Sequence, residues 1–174
     1  MRLTNIISSM DANKKRRRLA AGILFVLYFV VLFYFLFFSE EMGRTYVTQT
    51  YRYNLVPFKE IGRFIHYRES LGWRTVFLNI VGNVAAFLPF GTFLPIFSTR
   101  CRRLLNTALY SFELSLLVEL LQLVFKVGTF DVDDLMLNTL GGIIGFLIYV
   151  AVVHVAKKTG KREDKDGDGS KEKA

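Results

Sequence analysis

Apolar residues fall in four blocks along the chain. Leu19 to Phe38 is an unbroken apolar run of twenty residues without a charge. Val76–Phe97, Leu104–Phe125 and Leu135–Ala156 follow, each of twenty-two. At 1.5 Å per residue such helices cover about 30 Å, the thickness of a bilayer core. The pattern predicts an all-α membrane protein with four transmembrane helices, over 19–38, 76–97, 104–125 and 135–156. The first run is about twice the length of a signal-peptide core and ends in Phe-Phe-Ser-Glu-Glu, without a small-x-small cleavage site. It therefore reads as a retained anchor. Pro89 and Pro95 would break or kink the second span.

The polar segments between the blocks differ in charge. The tails 1–18 and 157–174 and the Arg100–Arg103 loop carry sixteen of the 23 Lys and Arg residues. The remaining seven lie on the opposite side, and none falls inside a span. By the positive-inside rule both tails are expected in the cytosol of a multi-pass protein of the cytoplasmic membrane. The C-terminal tail has no apolar periodicity and is expected to lack structure. The outer loop between the first two spans is rich in Tyr, Phe and Trp, as interfacial segments are. After Pro57, residues Phe58, Ile61 and Ile65 fall at helical spacing, with Lys59, Arg63 and His66 on another face. An amphipathic interfacial helix or a surface-packed connector would each fit this pattern.

Composition narrows the class. Of the 174 residues 52% are hydrophobic, and the net charge is +8. Basic blocks that flank apolar spans point to a lipid bilayer as partner and not to nucleic acid. One cysteine excludes a disulfide framework and a cysteine-based metal site. No cofactor or metal is expected, and the oligomeric state is left open.

Polar residues within the spans carry the functional signal, because they are costly in hydrocarbon. Ser111, Ser115, Glu119 and Gln122 form one stripe on the third span. Asn79 and Asn83 share a face of the second, and Asn138 lies one turn inside the fourth. With the expected topology, Asn79, Asn83, Glu119, Gln122 and Asn138 lie in the outward half of the bundle. Asp131, Asp133 and Asp134 lie directly above them. This set could bind a ligand, or it could hold the bundle together through interhelical hydrogen bonds. Asp131 or Asp133 could simply cap the fourth helix. Glu113 points away from the stripe. Gly141 and Gly145 form a small-xxx-small pair suited to a close helix crossing.

Common catalytic templates are missing: there is no Gly-x-Ser-x-Gly, no His-Glu-x-x-His and no phosphate-cradling glycine loop. Catalytic residues are not identifiable, and a non-enzymatic binding role is favoured. The alternatives are a small membrane enzyme acting on a lipid or polyprenyl phosphate, and a structural partner in an envelope complex that docks through the Gly141–Gly145 face. In the enzyme, Glu119, Asp131 and Asp134 would be metal ligands or acid/base groups.

Three stretches carry a family resemblance. They are Asn54-Leu55-x-Pro57-Phe58, then Asn83-Val84-x-x-Phe87-x-Pro89-Phe90-Gly91, then the dense stretch from Ser115 to Gly142. The last contains Ser115-Leu116-x-x-Glu119-x-x-Gln122, Gly128-x-x-Asp131-x-x-Asp134 and Asn138-Thr139-x-Gly141-Gly142. In this order and spacing the chain resembles the VanZ-like family, named for a protein linked to low-level teicoplanin resistance. The resemblance implies an integral membrane protein of the bacterial cell envelope, without an established biochemical activity; with the outward polar cluster and the interfacial loop, the expected role is lipoglycopeptide tolerance by binding an amphiphile or a lipid-linked wall precursor at the outer leaflet. Asn79, Asn83, Glu119, Gln122, Asp131, Asp134 and Asn138 are the ligand-binding candidates. Many members have an Arg after the Gly of Gly-x-x-Asp-x-x-Asp; here it is Thr129, with Lys126 as the nearest cation in sequence.

Overall fold

A computed structural model describes residues 2–38 and 51–169, with side chains described for 16, 19–35, 37 and 51–158. The aromatic start of the outer loop and most of both charged tails lie outside the described side chains. In the C-terminal segment expected to lack structure, the backbone instead continues as helix to Gly169.

Four long helices form the body: α1 (Arg2–Phe38), α4 (Trp73–Phe97), α5 (Leu104–Phe125) and α6 (Val132–Gly169). Two short helices, α2 (Lys59–His66) and α3 (Arg68–Leu71), lead into α4. α4, α5 and the Val132–Lys158 part of α6 are each long and apolar enough to cross a membrane, and Leu19–Phe35 of α1 is a shorter apolar helix. The chain is thus an α-helical membrane protein. The amphipathic segment after Pro57 is helical, as its spacing predicts.

α4 begins three residues before the predicted span and runs unbroken through Pro89 and Pro95. Near Pro89 a side chain of α1 reaches an α4 carbonyl, and Thr92 of α4 bonds within its own helix and across to α6. Tyr28 of α1 donates its hydroxyl to the Ala86 carbonyl at 2.8 Å. Thr92 Oγ1 lies 2.9 Å from the Leu88 carbonyl and 3.0 Å from that of Gly145. The Tyr28 bond, to a carbonyl three residues before Pro89, is of the kind that lets proline sit inside membrane helices.

The buried face of α5 is largely polar, while most large apolar side chains of that helix face outward. Thr107, Ser111, Ser115, Glu119 and Gln122 line the buried face of α5, whereas Leu105, Leu109, Leu117 and Val124 are exposed. Lipid tails are as apolar as Leu, so burying Leu between helices gains little here; close backbone approach and hydrogen bonds do the packing. Glycine supplies the approach. A Cβ at Gly141 would collide with the Val84 carbonyl, and one at Gly145 with that of Leu88. A Cβ at Gly142 would strike the Ser111 hydroxyl of α5. The Gly141–Gly145 face is therefore taken up by α4 and does not serve as a docking surface for another protein. A smaller cluster of Leu32, Phe87 and Val118 seats α1 against α4 and α5.

Gly145→Val should lower the thermal unfolding midpoint in detergent, by about 1–3 kcal/mol or more of overpacking. Gly22→Val should leave it unchanged, because an added Cβ meets nothing within 4 Å. Circular-dichroism melts of the two variants check this.

Candidate functional site

Helix starts expose main-chain N–H groups that have no partner within the helix. Two such starts, those of α2 and α6, meet at one end of the bundle, and acidic side chains satisfy both. Asp131 caps α6 in the ordinary way, its Oδ1 accepting the Asp133 N–H at 2.9 Å. α2 has no side-chain cap of its own, and Phe58 before it adopts a left-handed conformation with φ of 63°. Its cap comes from a distant part of the chain. Asp133, on the first turn of α6, accepts the N–H groups of Phe58, Glu60 at 2.8 Å and Ile61 at 3.1 Å. Asp133 is 1% exposed. Hydrogen bonds to a charged acceptor contribute about 1.5–3 kcal/mol each, against about 0.6 for an average side-chain bond inside a membrane bundle. By that measure Asp133 is the strongest single tie at this end.

A short parallel pairing reinforces the junction. β1 (Tyr53–Asn54) lies against β2 (Phe130–Asp131), with Asn54 opposite Asp131. The Phe130 N–H donates to the Arg52 carbonyl at 3.0 Å, and Asn54 Nδ2 to Asp131 Oδ1 at 3.1 Å. The Asn54–Phe58 and Gly128–Asp134 stretches, far apart in sequence, are thus one site. The turn into β2 follows from the end of α5. Lys126 takes a left-handed conformation, its N–H reaches Leu123, and the Val127 N–H reaches Gln122. This is a Schellman ending with lysine where glycine is usual. The Lys126 ammonium lies 4.7 Å from the centre of the Tyr51 ring.

Beneath the junction lies the polar core. Glu119 Oε2 accepts the Asp131 N–H at 2.9 Å. Asn83 donates to Asp134, joining α4 to α6. Asn138 Nδ2 donates to Ser115 Oγ at 2.9 Å, joining α6 to α5. Asn138 Oδ1 is buried without a hydrogen-bond partner among the described residues. Gln122 is buried beside Gly128, where an added Cβ would lie 3.3 Å from the Gln122 side chain. Six of the seven candidates, Asn83, Glu119, Gln122, Asp131, Asp134 and Asn138, therefore gather at this end of the bundle. The seventh, Asn79, donates instead to Thr75 of its own helix at 2.8 Å. Asp133 and Asn54 belong to the site but were outside the candidate set. Their partners lie more than seventy residues away in the chain, so spacing within one helix does not report the α2–α6 junction they serve.

Burial pushes the Asp131 carboxyl above the usual Asp range; the Asp133 N–H and the Asn54 amide pull it back, while the charges of Asp133 and Glu60 add to the rise. Folded Asp131 then holds its proton more tightly than the unfolded chain does. Its charge subtracts from stability above the folded pKa, and stability returns as pH falls through that value toward the ordinary one of about 3.9. Asp131→Asn keeps the capping oxygen and removes the charge. Its melting midpoint should exceed wild type at pH 7, and the difference should shrink on acidification. Asp133→Ala should cost at least about 2 kcal/mol, since it strands three N–H groups. Amide exchange at Phe58, Glu60 and Ile61 should quicken in that variant.

Comparison with known proteins places this architecture. No solved structure matches the chain. The curated Protein VanZ of Enterococcus faecium is 33% identical over 96 residues, which cover 55% of this chain and 51% of that protein. The chain thus spans about half the length of that relative. The VanZ/LLP1 family profile matches residues 25–154, from within α1 to within α6, and so takes in the whole capped junction and polar core. The chain belongs to the VanZ/LLP1 family.

Proposed function

We propose that this chain is a multi-pass protein of a bacterial cytoplasmic membrane that binds the acyl part of an amphiphile at the outer leaflet and thereby raises tolerance to lipoglycopeptides such as teicoplanin. In this reading both tails are cytosolic and the α2–α6 junction faces outward. The amphiphile is a lipid-linked cell-wall precursor or the lipoglycopeptide itself.

One observation carries the reading. A groove of about 500 Å³ runs beside the junction, between α2, α5 and α6. Phe58 and Ile61 form one wall, Phe112 another, and Leu135, Met136 and Leu140 the floor. That volume is in the range of small-molecule sites, and its lining is almost wholly apolar, as an acyl chain requires. Asp133 holds the α2 wall against α6, so the groove depends on the capped junction. The exposed Lys59 lies beside that wall and offers a cation to an anionic headgroup. The family resemblance supports the link to teicoplanin, whose acyl chain distinguishes it from vancomycin.

The enzyme reading has less support. Of its three acids, Glu119 and Asp131 each give an oxygen to a main-chain N–H of the fold, and Asp134 accepts the Asn83 amide. Among the described residues no group of three or more His, Cys, Asp and Glu is placed to hold a metal ion.

Deletion in the native host should sensitise cells several-fold to teicoplanin and far less to vancomycin. Wild type should restore tolerance. Met136→Trp, which fills the groove, should not restore it at equal protein level in the membrane. Unchanged sensitivity on deletion, or full rescue by Met136→Trp, would count against the proposal.

A further inference from the structure

Glu113 is the acidic residue of α5 that the junction does not use. It is the tenth residue of the helix, about 14 Å from one end and 18 Å from the other at 1.5 Å per residue. This is the middle of a bilayer. Its side chain is exposed, on the face of α5 opposite Ser111, Ser115 and Gln122. Among the described residues nothing forms a hydrogen bond or ion pair with it. A carboxyl facing lipid at that depth is costly, and such groups ordinarily face another protein surface.

The residues around it have a regular pattern. Asn106, Tyr110, Glu113, Leu117, Leu120 and Val124 are spaced four, three, four, three and four. This is the 3.5-residue repeat of a helix that packs along a partner helix. Tyr110, Leu117, Leu120 and Val124 are 39%, 50%, 44% and 65% exposed, so among the described residues the seam is open. A polar residue at such a seam position can set its register.

We propose that this seam is a self-association face, through which two copies pair α5 against α5. Two copies inserted the same way round can be related by a two-fold axis along the membrane normal, which brings equal depths together. Glu113 of one copy then lies near Glu113 and Tyr110 of the other. Tyr110 is one turn away, about 4.5 Å along the axis, and its phenol can donate to the partner's Glu113 carboxyl. No Lys or Arg lies within the spans, so a second copy meets Glu113 through this hydroxyl and not through a cation. The seam differs from the acyl groove, which lies on the Phe112 side of α5, and the pairing does not rest on the proposed function.

The test is thiol crosslinking of the full chain in native membranes, in a Cys101→Ser background. Leu117→Cys, on the seam, should give a crosslinked dimer; Leu147→Cys, exposed on α6, should not. Adding Glu113→Ala to Leu117→Cys should cut the dimer several-fold, while Glu113→Gln, which still hydrogen-bonds, should retain most of it. Equal crosslinking from both cysteines, or an undiminished dimer with Glu113→Ala, overturns the proposal. So does a crosslink from Leu117→Cys to a different membrane protein with none to a second copy, and so does the absence of any crosslink. Melting curves of both Glu113 variants separate lost pairing from lost folding.

Discussion

A helix of eight residues has too few internal hydrogen bonds to hold itself in water, where isolated helices need about 12–15 residues to be even marginal. α2 is such a helix, and its first N–H groups would be left without acceptors next to a bilayer. The carboxylate of Asp133 takes three of them. Everything else at this end is arranged around that tie. Asp131 caps α6 so that Asp133 points at α2, Asn54 holds Asp131, and Glu119 holds the Asp131 main chain from below. The left-handed Phe58 is tolerated for the same reason: its own N–H is among the groups bound.

The body of the bundle solves a different problem. Without a hydrophobic gain from joining helices inside lipid, contact must come from small residues and polar bonds. Gly141 and Gly145 bring α6 onto the α4 backbone, and Gly142 brings it onto Ser111 of α5. Once the backbones are close, Asn83 reaches Asp134 and Asn138 reaches Ser115. The glycines and the polar core are therefore one device. The tight crossing also explains why the buried face of α5 carries Ser and Thr while Leu105, Leu109 and Leu117 are turned outward.

Two consequences for function follow from this division. The groove beside α2 has an apolar wall whose position depends on a polar contact behind it, so substitutions at Asp133 and in the groove should act on one surface. Glu113 lies outside this arrangement, on the far face of α5, and answers to a different neighbour. A protein of this size can present both surfaces because its packing core occupies only one face of each helix.

The amino-acid sequence by itself determined the membrane class, the helical spans, the polar stripe on α5 and the glycine crossing. Each of these depends on local composition or on spacing within one helix, so periodicity exposes it. A cap on α6 from Asp131 or Asp133 was legible for the same reason, and Asp131, two residues from the N–H it accepts, is the one that forms it. The role of Asp133 was not legible, because its partners lie more than seventy residues away and only the folded junction brings them near. Asn79 shows the converse: its spacing from Asn83 placed both on one face, but a carbonyl one turn back in its own helix took its amide. Tertiary structure decided those two cases because hydrogen-bond partners are chosen by distance in space, and sequence spacing reports that distance only within a single helix.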